Sequence, residues 1–362
     1  VIRWRNGVVR TAGRSWPGAL ELDVETDDGT VRALAYTELV GEPEPGDRVL
    51  LNVNALALGL GTGGYAQVVA IPDRLPADPP PTPGHLMKAR YTPLQATVLG
   101  VDEQNSPWYD ELRVARDLAD MPVVTADLHS ALPAVVAGAR DHAAGIRVAY
   151  VMTDGGALPL WFSRSVAGMV EAGWLAGTVT VGQAFGGDIE AVTLHTGLLA
   201  ARHVLDADIA VVAQGPGNLG TGTAWGFSGV ACGEAVNAVA TLGGRPVGSL
   251  RISEADARPR HHGVSHHSMT AYGKVALAPA DVVVPDLGGV FGGQVNAQVK
   301  RLGERHTLVY TPVDGLDAAL RAAPVHLSTM GRGVDEDTAY FLTAAAAGRY
   351  AATLAAQVRG QA

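Results

Sequence analysis

Apolar and polar residues alternate along Ala19-Leu20-Glu21-Leu22-Asp23-Val24-Glu25, the two-residue period of a half-buried strand. Asp27-Asp28-Gly29 and Glu44-Pro45-Gly46-Asp47 are turn signals. The second leads into the strand run Arg48-Val49-Leu50-Leu51-Asn52-Val53, and Tyr65 to Ile71 supplies another. Several short strands joined by tight turns predict a small β-barrel-like domain over residues 1–72. Pro72, Pro76, Pro79, Pro80, Pro81 and Pro83 follow within a short span. Their fixed φ and missing N–H groups exclude a helix or a central strand. Residues 73–93 therefore read as a linker.

From about residue 94 the period changes. β-rich runs at 96–101, 123–126, 147–152, 178–182, 209–213 and 246–252 alternate with amphipathic stretches at 130–142, 163–172, 189–205 and 230–242. Strand–helix repetition predicts an α/β domain over 94–362, with a mainly parallel sheet and helices on both faces. A long Ala-rich helix over 335–357 closes it. Its small residues, Ala344 to Ala347 with Ala351 and Ala352, predict close packing. They also make a two-fold homodimer the expected assembly.

Composition narrows the function classes. The 362 residues are 47% apolar and 17% charged, enough to bury a sizeable core. A net charge of −9 without a basic run argues against a nucleic-acid partner. No uninterrupted apolar stretch reaches membrane-spanning length, so no membrane association is expected. The opening Val1-Ile2-Arg3-Trp4-Arg5 is followed by no apolar run of the signal-peptide kind. The single cysteine, Cys232, cannot form an intrachain disulfide and reads as a small core residue rather than a catalytic thiol. A reducing cytoplasm is the expected compartment.

Several segments resemble a known bacterial family. They are Ala57-Leu58-Gly59-Leu60-Gly61-Thr62-Gly63-Gly64-Tyr65, His85-Leu86-Met87-Lys88 with Arg90-Tyr91-Thr92-Pro93-Leu94-Gln95, and Val151-Met152-Thr153-Asp154-Gly155-Gly156-Ala157-Leu158-Pro159-Leu160. Val181-Gly182-Gln183-Ala184-Phe185-Gly186-Gly187-Asp188, Gly215-Pro216-Gly217 and Val264-Ser265-His266-His267 complete the set. From the first residues to about 310 the chain resembles the family catalogued only as domain of unknown function 3866. That resemblance implies no activity, so the site has to be argued from residues.

In parallel α/β sheets, ligands bind beyond the carboxyl ends of the strands. The expected strand ends carry Asp102-Glu103, Asp127-Leu128-His129-Ser130, Thr153-Asp154, Gln183 with Gly187-Asp188, Gln214-Gly215-Pro216-Gly217, and Ser253-Glu254 with Asp256. Such residues also cap helices and shape turns, the better reading for any one of them alone. Together they predict one polar rim. Gly215, Gly217 and Gly220 fit G-x-G-x-x-G after a strand, which would let backbone N–H groups approach an anion. The loop runs on through Thr221, and no clear ribose-binding acid ends the next strand, which runs through Gly248-Ser249-Leu250-Arg251. A phosphate or carboxylate cradle is therefore expected rather than a dinucleotide fold, with a purely structural loop as the equal alternative. Lys88 and Arg90 would add cations, or are plain surface charges.

Four of the eleven histidines fall within His261-His262-Gly263-Val264-Ser265-His266-His267. Neutral imidazole is both a metal ligand and a base near neutral pH, and Ser265 suits a helix N-cap. Asp127-Leu128-His129 and Gly187-Asp188 are similar, in order, to the first two motifs of metallophosphoesterases. Leu219 stands after Asn218 where that family needs histidine, and no Gly-His-x-His follows, so the chain is not assigned there. The expected roles are Asp154 and Asp188 as metal ligand or base, and His266 and His267 as acid/base or ligand. Asp127 and His129 are candidate metal residues; the cofactor is left open, a divalent metal being one option. Gly215, Gly217, Gly220, Gln183, Lys88 and Arg90 are expected to bind the ligand. The leading expectation is a hydrolase or group transferase for a small phosphate- or carboxylate-bearing metabolite. A non-catalytic small-molecule-binding or regulatory protein and a structural subunit are the alternatives.

Overall fold

The computed structural model describes residues 1–361. Contacts divide the chain into two units, Val1–Val98 with Trp161–Ala167, and Leu99–Leu160 with Gly168–Ala362.

In the first unit β1 (Trp4–Trp16), β2 (Ala19–Thr26), β3 (Gly29–Ala35), β4 (Arg48–Asn52) and β5 (Ala66–Ala70) close into a barrel in the order β1-β2-β3-β5-β4. Two single-turn helices, α1 (Thr37–Val40) and α2 (Asn54–Ala57), join its later strands. The alternation in β2 sends Leu22 and Val24 inward against Val9, Ala33, Val49, Leu51 and Val68, while Asp23 stays outside. Thr26 pairs with Gly29 across a two-residue turn, and Gly29 takes φ +107, a region open to glycine. The long β1 shifts register twice, between Val9/Thr11 and Ala12/Ser15. Such bulges bend a strand, which lets β1 pair with β2 and also close onto β4.

The run at 96–101, expected to open the parallel sheet, supplies no full strand to it and meets it only at an isolated parallel bridge from Gly100 to Glu190. Its β7 (Ala96–Val98) pairs antiparallel with β6 (Leu86–Lys88) in a separate two-stranded ribbon. A partner a few residues away closes a much shorter loop than a strand of the sheet would.

The second unit is an α/β fold built on eight parallel strands. They are β8 (Pro122–Thr125), β9 (Val148–Thr153), β10 (Gly177–Thr180), β11 (Ile189–Glu190), β12 (Ile209–Gln214), β13 (Arg245–Ser249), β16 (Asp281–Asp286) and β17 (Thr307–Pro312). Their spatial order is β11-β10-β9-β12-β8-β13-β16-β17. The unbroken apolar runs of β9 and β12 are what central strands covered on both faces require, and β12 is buried at every position. The parallel α/β expectation holds; β16 and β17 widen the sheet beyond the strands read from the sequence. The expected strand at 246–252 is two strands. After β13 the chain turns into β14 (Ile252–Ser253), which pairs antiparallel with β15 (Gly263–Val264) in a small separate ribbon.

The helices of this unit include α3 (Tyr109–Val114), α4 (Leu132–His142), α6 (Leu194–His203), α7 (Ala231–Thr241), α8 (His266–Thr270), α9 (Gly289–Val299), α10 (Leu316–Arg321) and α11 (Thr338–Gln361), while α5 (Arg164–Glu171) spans the division. From β8 the chain runs outward through α4 to β9, β10 and β11. Then α6 returns it to β12, between β9 and β8, and α7 carries it across to β13. Right-handed crossovers place helices of opposite travel on opposite faces. Accordingly α6 and α7 share one core with Val123, Val151, Val179 and Val212, while α11 packs on α4. Connections from β8 and from its neighbours β12 and β13 thus leave to opposite faces, and a crevice opens at their carboxyl ends.

The Ala-rich helix α11 is consumed inside the chain. Ala344, Ala345, Ala346, Ala347, Ala351 and Ala352 are all buried. A Cβ at Gly138 of α4 would overlap the carbonyl oxygen of Ala345, and one at Gly348 that of Val135. The surface expected to pair two copies is an intrachain helix contact, because glycine and alanine let two backbones meet closely. Among the described residues no helix is long and apolar enough to cross a membrane.

Candidate functional site

The crevice is lined by Ala126 and Asp127 beyond β8, Thr153 of β9, Gln214 of β12, Ser228 and Gly229 just before α7, and Cys232 at its start. It has room for about one water molecule. Asp127 is buried. Its backbone carbonyl accepts the side-chain N–H of Gln214 at 2.8 Å, and Gly229 sits so close that a Cβ there would press on Asp127. The carboxylate therefore turns toward the end of β13 and toward α8.

Two local features carry the histidines there. The β14–β15 ribbon folds residues 254–262 into a hairpin loop that holds Asp256, Arg258 and His261. At its end Ser265 caps α8, its hydroxyl accepting the N–H of His267, as its residue type predicts. The same hydroxyl lies 2.7 Å from Nδ1 of His261. Capping thus sets His266 and His267 on the first turn and draws His261 against them. One ring nitrogen of each of these three lies within 4.8 Å of one in each of the others. Phe227 stacks flat on His267, centroids 3.7 Å apart and planes at 2°.

His267 presents Nδ1 to Asp127 Oδ2 at 3.4 Å. Arg251, buried at the end of β13, reaches the same Nδ1 at 3.4 Å and lies 3.9 Å from Asp127 Oδ2 and 3.8 Å from Asp256 Oδ2. Asp256 is gripped by Arg258 through Nε and NH2 at 2.8 and 2.6 Å, which holds its carboxyl well below the usual carboxylate range. Burial first, then the charge of Arg251, pushes His261 down to about 3. Burial and the neighbouring His267 push His266 down as well. His261 and His266 are therefore neutral bases at neutral pH. Two buried atoms of this cluster have no hydrogen-bond partner, Asp127 Oδ2 and His266 Nε2.

The other expected residues lie elsewhere or do other work. Asp154 is exposed, and its Oδ2 accepts the backbone N–H of Gln183 at 2.8 Å, tying the loop after β10 to the loop after β9. Asp188 accepts the N–H and hydroxyl of Thr178, both at 2.8 Å. It precedes β11, and Thr178 lies ahead of the carboxyl end of β10. The chain reverses through 182–187 and re-enters the sheet in parallel, so Asp188 falls behind the rim rather than on it. Asp127 and His129 part company: Nδ1 of His129 meets the hydroxyl of Tyr150 at 3.0 Å, and burial holds its imidazole down at about 4.

The glycine loop is organised by its own contacts. A Cβ at Gly215 would overlap the carbonyl of Ala157, and Gly217 takes φ +91 in open space. Gly220 bridges to Phe227. Asn218 Oδ1 accepts from Gln214, Ser228 and the N–H of Gly229. The helix α7 begins only at Ala231, so no helix N-terminus follows the glycines directly. Lys88 is buried at the end of β6, and Arg90 is exposed with its guanidinium 5.1 Å over the ring of Tyr91. Both belong to the N-terminal unit.

Arg251, His261 and Phe227 are the site residues that strand-end reasoning overlooked or left without a role. Arg251 carries a legible signal, a charge inside an apolar strand run. Phe227 carries none.

The family model described as Protein of unknown function (DUF3866) matches residues 32–348, from within β3 to within α11. The match begins later and ends later than the resemblance predicts. No curated protein and no solved structure matches the chain.

Proposed function

The chain belongs to the DUF3866 family, and from that premise we propose an enzyme that hydrolyses, or transfers a group from, a small phosphate- or carboxylate-bearing metabolite at the crevice beyond β8, β12 and β13. One observation carries this reading. Asp127, Arg251 and His267 come from three separate elements and meet within 3.4–3.9 Å in a buried position at the strand ends.

A buried arginine held between two carboxylates is a costly arrangement for stability alone. Asp127 faces one nitrogen of His267 and so orients the ring, as a carboxylate behind an imidazole does in hydrolytic sites. The far nitrogen then handles the attacking water, directly or through an ion that it holds. Phe227 fixes the ring plane by stacking. Gln183, Gly217 and Gly220 remain candidates for ligand contact, and Asp154 for a base near the rim.

The test is turnover of p-nitrophenyl phosphate and p-nitrophenyl acetate by the purified chain, with Asp127→Asn as control. Release of nitrophenol that falls with Asp127→Asn supports the proposal. Saturable binding of phosphate or citrate without turnover of either ester would favour the non-catalytic binding protein. Neither turnover nor binding would sink both.

A further inference from the structure

We propose that His261, His266 and His267 are the three protein ligands of a divalent transition-metal site, with Asp127 and Ser265 as the groups that orient its imidazoles. The inference rests on the proposed crevice for its location, but not on any activity there.

Nδ1 of His261 meets Ser265 Oγ at 2.7 Å, and Nδ1 of His267 faces Asp127 Oδ2 at 3.4 Å. Nη1 of Arg251, which can only donate, also lies 3.4 Å from Nδ1 of His267, so the metal-binding tautomer of His267 requires its Nδ1–H to turn from Arg251 to Asp127. Metal-ligating histidines characteristically give one ring nitrogen to a carboxylate, carbonyl or hydroxyl and the other to the ion. This leaves Nε2 of both rings for an ion, and Nε2 of His266 is a buried nitrogen without a hydrogen-bond partner. A buried nitrogen left in that state calls for an ion or a water. Three ring nitrogens within 4.8 Å of one another come into bonding range of one ion by small side-chain rotations, since Zn–N bonds are roughly 2.0–2.1 Å.

The ligand chemistry selects the metal class. Neutral imidazoles suit zinc, cobalt, nickel and copper rather than magnesium or calcium. Three protein ligands leave an open position, the mark of a catalytic rather than a structural site. Charge agrees. Arg251 lies on the Nδ1 side of His267 with Asp127, and Asp256 lies on its other guanidinium nitrogen. Its charge is thus answered by carboxylates, while three neutral ligands leave the ion its full double charge. Such a centre attracts an anionic group to the open position.

The experiment uses the full chain, stripped with a chelator and titrated with Co2+ and then Zn2+. Cobalt d–d absorption reads the coordination, and calorimetry reads affinity. About one ion per chain is expected, with an absorption pattern of low coordination number. His266→Ala, whose ring is only partly buried, should weaken Zn2+ binding by more than about 100-fold. Asp127→Asn and Ser265→Ala should weaken it by roughly 10–100-fold. His262→Ala, in the same loop but edge-on to Phe291, should leave affinity unchanged. Thermal unfolding of each metal-free variant shows that it is folded; His261→Ala serves if His266→Ala is not. Equal affinity in wild type and His266→Ala, or an equal fall in His262→Ala, would overturn the site. Metal-free protein that turns over p-nitrophenyl esters yet binds no cobalt would overturn the metal and leave the crevice reading intact. Absence of both cobalt binding and turnover would remove both.

Discussion

Nδ1 of His267 lies 3.4 Å from Oδ2 of Asp127, with both side chains buried, although one residue opens α8 and the other follows β8. Parallel strand order creates this meeting. The neighbour of β8 on one side is β13, whose continuation through the β14–β15 ribbon delivers α8 to the end of β8. Tyr272 locks the two strand ends, its hydroxyl donating to the carbonyl of Thr125 at 2.6 Å and lying 3.2 Å from that of Ser249.

Asp127→Asn keeps the shape of the side chain and removes the charge that faces Arg251 and His267. Stability should fall by about 1–3 kcal/mol, the range for disturbing a buried polar partner, because Asp256 still compensates Arg251. Urea unfolding measures it. Arg251→Met removes the fixed positive charge beside Asp127, and should cost more, about 3–5 kcal/mol. An Arg251→Met protein as stable as wild type would show that the cluster carries no uncompensated charge.

Gly138→Ala and Gly348→Ala should each destabilise the chain by about 1–3 kcal/mol or more, since α4 and α11 must separate to admit the methyl group. Gly145→Ala, with open space around it, is the control. Equal unfolding midpoints for all three would contradict the close helix contact.

Cys232 is a thiol in name only. Burial pushes it up, and Asp127 adds to the shift, so little thiolate forms at neutral pH. Iodoacetamide should label it slowly in the native protein and rapidly in urea. Fast native labelling would place it in an open, activated setting.

His306 gives stability a pH dependence of known sign. Its Nε2–H donates to the carbonyl of Tyr272 at 2.7 Å, and its Nδ1 accepts the N–H of Ala280 at 3.2 Å. Protonation would break the second bond, and burial lowers the imidazole from 6.5. A folded-state value below the unfolded one stabilises fully above 6.5 and is lost as pH falls further through the lowered value. Urea titrations at neutral and mildly acid pH should show stability dropping on acidification. The drop should shrink in His306→Gln, and an unchanged slope in that variant would exclude this origin.

The one-dimensional pattern of the chain was enough for the classes of element and for the segments that meet in the candidate site. Alternation in residues 19–25 determines a barrel strand, unbroken apolar runs determine central parallel strands, and Ser265 followed by two histidines determines a capped helix start, because each is a local preference of backbone and solvent. The clustering of four histidines singled out the loop in which His261, His266 and His267 meet. Which carboxylate those histidines meet was decided only by tertiary structure. Asp127, Asp154 and Asp188 are alike in sequence, each polar and near a strand. Strand order alone sends Asp127 to α8, leaves Asp154 to a loop N–H and turns Asp188 back along β10. The same holds for the alanines of α11. Their small size determines close packing, but the partner, α4 of the same chain rather than a second copy, is set by the return of the chain across the sheet after β17. Long-range pairing depends on where the chain leaves each strand and on the handedness of its crossovers, and no short window of sequence records either.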